Sequence, residues 1–500
     1  MRVILFAVCM LLHAMTLAAD KPNIVFILAD DLGYGDLSSY GATLVETPNI
    51  DRLADAGMRF TDAHSPHSVC TPTRYSLLTG RYAWRNWAGS RCVWSNDPLL
   101  ISTDRLTLPK LLQNAGYRTA LIGKWHLGFG APDSPGWSDR LGPDYNMPLK
   151  PGPLEVGFDY FFGIPHVGQF PHILIENHNI VGKPVDENIT FIVDPRQADR
   201  RSYLDRENIV PRHTFAGMDG FTYEHEELAI QLTDKAVDWL KAAPPEPFFL
   251  AFMHRNVHSP IKPNARFKNT SAIGSYGDFI NELDWSVGRI LDTLDELGLN
   301  DNTLVIFSSD NGAVQKGHQA TDIVDHNGHK SNGPLRGQKT EAYEGGHRVP
   351  LLARWPGHIA PATESQRLVA LTDVFATVAE MLDVDIPRNA GEDSFSFWTE
   401  MVGGTSSQPV RRAIVDDSNM GIFAIREGDW KLILGQGGGG IGWTGDDINA
   451  SEPAGQLYHL GQDLDERKNL YNQHPDIVTH LTNLLGKYKA NERSAPRDRH

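Results

Sequence analysis

With 500 residues, 41% of them hydrophobic and 22% charged, the chain has the length for a large buried core and the balance of an ordinary globular protein. Its formal net charge of -16 excludes nucleic acid as the expected partner, because binding a phosphate backbone requires a basic face. Nor does this acidity attract an anionic substrate, so any anion site has to be a local cluster of Lys, Arg and metal ion.

The chain opens with an export signal, expected over residues 1–19. Arg2 precedes an apolar run from Val3 to Leu17, and the small residues Ala18 and Ala19 stand before Asp20. The run is short for a membrane span, and no later stretch is long enough to be one. The expectation is an exported chain, periplasmic or extracellular (lysosome-like if eukaryotic), with no membrane insertion. Cys9 lies inside the run without the neighbours of a lipid-attachment site, so removal of the signal leaves Cys70 and Cys92. An oxidising compartment permits a disulfide between these two, and such a bond would silence any chemistry at Cys70.

Residues 20–400 read as an α/β catalytic unit. The run Ile24 to Ala29 predicts a strand buried on both faces, typical of a parallel sheet, and it stops at Asp30 and Asp31. Thr47 to Gly57 has the spacing of a capped amphipathic helix, and Met58-Arg59-Phe60 starts a strand. A helix at Leu108 to Ala115 and a strand at Tyr117 to Gly123 follow, the strand running into Lys124-Trp125-His126. Residues 129–157, rich in Pro and Gly, predict a long surface loop, and Phe158 to Ile164 returns to core character with His166 just beyond. A polar segment at 183–220 is expected to run over the active face. Glu224 to Lys241 predicts a helix, Pro247 to Met253 a buried strand leading to His254 and His258, and Tyr276 to Leu297 another helix. Thr303 to Ser309 repeats the opening pattern, an apolar strand stopping at Asp310-Asn311. After a polar loop at 313–334, Arg336 to Lys339 and Glu344 to Pro350 lead back to a strand at Leu351 to Trp355.

Residues 401–500 read as a smaller unit. Ala413 to Asp416, Gly421 to Arg426 and Trp430 to Leu434 predict short antiparallel strands, followed by a Gly-rich loop at 435–442 and a helix from Pro475 to Lys489. The expected architecture is therefore a large mixed, mostly parallel sheet flanked by helices, with a smaller C-terminal α+β unit.

Cys70-Thr71-Pro72-Thr73-Arg74 reads as the start of a short helix, capped by Thr71, with Pro72 in the first turn and Gly80 as its stop. Cys70 then lies where free N–H groups favour an anion, and Arg74 falls one turn on along the same face. A Cys and an Arg converging on an anion hole suit attack on a charged ester; a buried cysteine at a helix start is the plainer reading. Just beyond, Trp84, Trp87 and Trp94 mix with Arg81, Arg85 and Arg91. Such a mixture stacks on and grips a sugar acid or sulfate, or else packs an irregular loop.

Strand after strand ends in a ligating or charged group. Asp30, Asp31, Asp310 and Asn311 are hard oxygen donors that suit Ca2+, or Mg2+, rather than zinc. The positive set is Arg74, Lys124 and Lys339, joined by His126 and His258. A metal ion with three cations holds a tetrahedral oxyanion, and the imidazoles offer acid–base chemistry near neutral pH.

Together these segments resemble the formylglycine-dependent sulfatases of the alkaline phosphatase superfamily, in the branch of arylsulfatase A and N-acetylgalactosamine-6-sulfatase. The resemblance rests on Cys70-Thr71-Pro72-Thr73-Arg74 with Thr79-Gly80-Arg81, Gly123-Lys124-Trp125-His126-Leu127-Gly128, Ser309-Asp310-Asn311-Gly312, and Arg336-Gly337-Gln338-Lys339 with Glu344-Gly345-Gly346. It implies that a maturation enzyme oxidises Cys70 to formylglycine (3-oxoalanine), an aldehyde held as its hydrate. It further implies Ca2+ on Asp30, Asp31, Asp310, Asn311 and the formylglycine. Arg74 would steady the hydrate, Lys124 and Lys339 would hold sulfate oxygens, and His258 would protonate the leaving oxygen. His126 would take the proton as a covalent sulfate hemiacetal collapses. Relatives of the arylsulfatase A kind carry a Ser in the segment matching Gly163 to Val167, where this chain has Val167; that contact is either dispensed with or supplied by His166. The implied substrate is a sulfated saccharide or an aryl sulfate, with Trp94 and Arg91 as sugar contacts. A phosphonate or phosphodiester hydrolase of the same superfamily and an inactive sugar-binding relative are the alternatives.

Overall fold

The structure is a computed structural model that describes residues 21–139, 141–167, 171–183, 188–193, 213–216, 222–242, 247–315, 328–404, 407–440 and 448–496. The export signal expected at residues 1–19, most of the polar segment at 183–220 and parts of the loops at 313–334 and 435–442 lie outside the described residues.

The first apolar run forms β1 (Asn23–Ala29), and every residue of it is buried. Its side chains alternate between two cores, Ile24, Phe26 and Leu28 entering one and Val25, Ile27 and Ala29 the other. A strand of this kind needs a helical layer on each face. One layer comes from the helices Cys70–Thr79, Leu108–Asn114 and Val374–Met381, which contribute Tyr75, Leu111 and Phe375. The other comes from Pro48–Asp55, His225–Lys241 and Ser275–Glu296, which contribute Leu53, Leu232 and Leu283.

The main sheet also contains β2 (Met58–Phe60), whereas β3 (Ala63–His64) stands beside it. The sheet continues with β4 (Arg118–Lys124), β5 (Tyr160–Ile164), β6 (Ile175–Glu176) and β7 (Asn179–Ile180). A separate ribbon pairs β8 (Thr190–Val193) with β9 (His213–Ala216). The sheet is completed by β10 (Phe248–Met253), β11 (Thr303–Ser309), β12 (Leu351–Arg354) and β13 (Thr363–Ser365), while β14 (Val369–Ala370) pairs with β3. Its order is β13-β2-β12-β11-β1-β10-β4-β5-β6-β7. The central run β11-β1-β10-β4-β5 is parallel, and its register aligns Ser309 with Ala29, Leu28 with Met253, Met253 with Gly123 and Lys124 with Ile164. Five carboxyl ends therefore finish level along one edge, which is where ligands gather in open α/β sheets.

The expected surface loop at 129–157 is anchored more deeply than its Pro and Gly content suggests. Phe129, Tyr145, Leu149 and Val156 enter the core on one side of the sheet. Irregular backbone with widely spaced apolar residues has no periodicity to read, yet those residues still bury.

Beyond residue 401, β15 (Ala413–Asp417), β16 (Phe423–Glu427), β17 (Trp430–Ile433) and β18 (Gln456–His459) form a separate antiparallel sheet. The Pro475–Ala490 helix covers it, packing Leu481, Leu485 and Tyr488 on Val415, Ile425 and Leu432. Sequence reading predicts three of these strands and not β18, because the long connection from β17 carries no hairpin signal. Tyr82 and Trp84 reach into this core from the main body; Trp84 meets Phe423 with ring centroids 5.7 Å apart. Arg85 lies 4.0 Å over Trp84 and grips Asp393 at 2.8 and 2.9 Å. This part of the Trp and Arg mixture packs the loop. Among the described residues no helix is long and apolar enough to cross a membrane.

Candidate active site

The level strand ends bring together groups far apart in sequence. Asp30 and Asp31 follow β1, Asp310 and Asn311 follow β11, Lys124 closes β4 and His258 comes five residues after β10. Gly123 is what lets β4 approach β10 here: its φ is +123°, and a Cβ would lie 1.9 Å from the Met253 carbonyl oxygen. No other residue fits that space.

Cys70 is the first residue of its helix, after Val69 in extended conformation. Thr71 is not the expected cap. Its Oγ1 instead donates to the His126 carbonyl oxygen at 2.8 Å, holding a residue whose φ is +57°. Gly80 does end the helix, in the left-handed conformation. All ten helix residues are buried, so this element has no solvent face.

Arg74, 2% exposed, donates from Nε and Nη2 to Asp310 Oδ2 at 3.1 and 2.8 Å, and from Nη1 to the Lys124 carbonyl at 2.9 Å. Lys124 Nζ spans both oxygens of Asp30, at 2.9 and 2.7 Å. Lys339 Nζ does the same on Asp31, at 2.6 and 2.8 Å. Asn311 Nδ2 donates to Asp31 Oδ1 at 2.7 Å, and His258 Nε2 lies 3.7 Å from Asp31 Oδ2. Three carboxylates thus face three cations in a buried space. Burial opposes ionisation of Asp31, but Lys339 and His258 outweigh it and lower its pKa. Burial and the neighbouring Asp30 push Asp310 up to about 7.

The residues fit a divalent cation. Carboxylate oxygens of Asp30 and Asp310 lie within 4.8 Å of each other and of Cys70 Sγ, and those of Asp30 and Asp31 within 4.8 Å of each other. Asn311 Oδ1 is buried and accepts no hydrogen bond. An orphaned amide oxygen among carboxylates is a donor set for a hard cation.

Cys70 and Cys92 are both free thiols, with sulfurs 4.0 Å apart. A hydrogen bond from Cys92, then Lys124, His126 and Lys339, bring the Cys70 pKa well below its ordinary value. His126 has a ring nitrogen within 4.8 Å of both sulfurs. Its ring stands 6.0 Å from that of His166 and 6.5 Å from Trp94. His166 is buried with neither ring nitrogen hydrogen-bonded, whereas Val167 packs into the apolar core. A small cavity lined by Trp94, His126, Tyr145 and His166 joins these groups. Arg91 does not enter it: its guanidinium pairs with Asp97 at 2.8 Å twice and lies 5.2 Å over Trp87. Sequence reasoning missed Tyr145, placed by the irregular loop, and saw Cys92 only as a disulfide partner.

A mixed sheet that gathers carboxylates, lysines, an arginine and imidazoles around a helix-initial cysteine defines an ester hydrolase of the alkaline phosphatase-like superfamily. A family model described as Sulfatase matches residues 22–384. The chain is 37% identical over 495 residues to N-acetylgalactosamine-6-O-sulfatase of Bacteroides thetaiotaomicron, covering 94% of each. It is 32% identical over 495 residues to arylsulfatase A of Bos taurus, covering 95% of this chain and 88% of that one. A solved structure from work on glycosaminoglycan metabolism by Bacteroides thetaiotaomicron superposes with a TM-score of 0.83 at 35% identity, covering 94% of this chain and 100% of that one. The chain belongs to the sulfatase family, the sulfuric ester hydrolases.

Proposed function

We propose that this sulfatase is exported and removes sulfate from saccharides, and also cleaves aryl sulfates, by S–O cleavage at an oxidised Cys70 assisted by Ca2+. The observation that carries this reading is the position of Cys70. It opens a buried helix, within 4.8 Å of Asp30 and Asp310 carboxylate oxygens, with Arg74 one turn behind it. In this reading residues 20–400 form the catalytic unit and 401–500 a supporting one.

Asp30, Asp31, Asp310 and Asn311 would hold the cation, which supplies electrostatic stabilisation of the oxyanion. The formylglycine hydrate obtained by oxidising Cys70 supplies a nucleophilic oxygen and, through its second hydroxyl, a route for expelling sulfate. Charge balance supports the assignment. Arg74, Lys124 and Lys339 cancel Asp30, Asp31 and Asp310, so a divalent ion leaves a local excess of +2. That excess matches the two negative charges of departing sulfate.

Lys124 and Lys339 point at this space and would take sulfate oxygens. Arg74 fixes Asp310 and so orients the groups around Cys70. His258 donates from Nδ1 to the Ser259 carbonyl at 2.6 Å, leaving Nε2 as the atom that exchanges a proton with the leaving oxygen. Burial and Lys339 hold its pKa at about 3, so it acts as an acid only when a substrate's negative charge enters the site. His126, neutral and beside Cys70, would accept the proton during sulfate release. Trp94 and His166, on the adjoining cavity, would contact the sugar.

Mass spectrometry of the peptide spanning residues 65–81 tests the first step, because formylglycine and cysteine at position 70 differ in mass. Sulfate release from sulfated oligosaccharides and from nitrophenyl sulfate, compared with matched phosphate esters, tests the rest. Oxidised protein that releases no sulfate, or that prefers the phosphate esters, overturns the assignment.

A further inference from the structure

A second buried polar cluster lies where the main body meets the four-stranded sheet. His64 ends β3, His347 ends the short Glu344–His347 helix, and Asp416 sits on β15; all three are 1% exposed or less. His64 Nε2 donates to Asp62 Oδ1 at 2.9 Å, and Asp62 is itself gripped by Arg426 at 2.7 and 2.8 Å. That hydrogen bond fixes the tautomer and leaves a lone pair on His64 Nδ1. His347 Nδ1 faces this lone pair at 3.0 Å, and Asp416 Oδ2 lies 3.6 Å from the same His347 nitrogen. The ligand atoms of the three residues all fall within 4.8 Å of one another.

Asp416 is the group that the protein leaves unanswered. Its Oδ1 is buried without a hydrogen-bond partner, and among the described residues no Lys or Arg lies within salt-bridge distance of it. Lys431 is committed elsewhere, to Glu344 at 2.9 Å and Glu466 at 3.0 Å. An unpaired carboxylate at this depth is costly unless a cation or a proton joins it. His347 Nε2 has two options. It can donate to the Ala342 carbonyl at 3.3 Å, which sets a second lone pair against that of His64, or accept from Lys431 Nζ at 3.2 Å. The first option makes a cation socket; the second gives a hydrogen-bonded chain through both rings that still leaves Asp416 alone.

We propose that His64 Nδ1, His347 Nδ1 and the Asp416 carboxylate bind a transition-metal dication, zinc by their donor type, which fastens the four-stranded sheet to the main body. Two imidazole nitrogens and a carboxylate suit zinc better than calcium. Around a tetrahedral ion with bonds of about 2.0–2.1 Å, ligand atoms stand about 3.3 Å apart, between the 3.0 and 3.6 Å seen here. Asp416 Oδ1 or a water fills the fourth position. The ion would bridge β3, the turn before β12, and β15, adding to the Asp62–Arg426 and Glu344–Lys431 pairs that tie the same part of the main body to β16 and β17.

Titration of the full-length protein with ZnCl2 after chelator treatment, followed by elemental analysis, tests this directly. We expect one zinc per chain that Asp31→Asn and a Cys70→Ala, Cys92→Ala variant retain, and that Asp416→Asn and His347→Phe lose. Zinc should raise the thermal midpoint of the parent protein and leave that of Asp416→Asn unmoved. Cobalt in place of zinc keeps the test independent of whether a variant folds. The parent protein should show the visible absorption of a tetrahedral nitrogen–oxygen site without a thiolate charge-transfer band. No stoichiometric zinc, zinc that survives Asp416→Asn, or a thiolate band as the sole cobalt signal overturns the proposal.

Discussion

Replacing Arg74 by Ala removes three hydrogen bonds at once, two to Asp310 Oδ2 at 3.1 and 2.8 Å and one to the Lys124 carbonyl at 2.9 Å. It also removes the positive charge 3.9 Å from Asp30 Oδ1. Among the described residues, Lys124 and Lys339 do not take its place, since they already span Asp30 and Asp31. Removing one partner of a buried ion pair costs about 3–5 kcal/mol, most of it for stranding the other charge. We expect Arg74→Ala to lose that amount in urea unfolding at about pH 9 with a chelator present, and less near pH 6, because Asp310, at about 7 even beside Arg74, takes a proton once the guanidinium is gone. Calcium should then stabilise the variant more than the parent, because a divalent ion can neutralise the stranded Asp310; at a hundredfold excess over Kd the gain from binding is about 2.7 kcal/mol. A variant within about 1 kcal/mol of the parent in chelator, or equal calcium stabilisation of both, refutes the electrostatic account of this cage.

Three further outcomes are expected. His258→Gln should lower kcat on a sulfated sugar by about 10²–10⁴-fold, but on nitrophenyl sulfate far less, since a phenolate leaves without protonation; equal losses on both would remove His258 from the leaving-group role. His254 is fully buried, accepts from Asn256 N at 3.0 Å and faces Ser286 Oγ at 3.1 Å, and burial holds its pKa down at about 3. A depressed imidazole pKa means that stability falls as pH drops below the unfolded value near 6.5. The stability gap between the parent and His254→Gln should narrow by about 2 kcal/mol between pH 7.5 and pH 5, as read by denaturant midpoints. Gly123→Ala drives a Cβ against the Met253 carbonyl from a backbone at φ +123°, so a loss of about 3 kcal/mol or more is expected by the same method, with Lys124 displaced and activity lost beyond the stability effect.

What could be read from the sequence follows the length scale of the forces. Apolar runs such as Ile24 to Ala29 and Thr303 to Ser309 declare buried strands by themselves, and their register then places Asp30 beside Asp310. The site was legible because its groups stand at strand ends, where a one-dimensional pattern predicts a position in space. Contacts across the fold were not legible. That Thr71 holds His126 rather than capping its own helix depends on a partner 55 residues away. Arg91 is claimed by Asp97, six residues on in an irregular loop that has no periodicity to read. The cluster of His64, His347 and Asp416 escaped because each residue looks unremarkable in its own segment, and only the docking of β15 brings them together.

The burial of Cys70 also sets a clock. Cys70 is only 2% exposed in the finished fold, so on the proposed reading a separate protein that oxidises it would have to act while the chain is still open. The contacts that close this region are made late in synthesis: Arg74 waits for Asp310, 236 residues further on, and Ser68 waits for Asp417. At about 5–20 residues per second the ribosome needs on the order of 10–50 s to reach Asp310. On the proposed reading, an oxidising enzyme would have that interval to reach the thiol. On the same reading, a host that supplies the oxidising enzyme only after folding would yield a well-packed protein that is chemically unfinished.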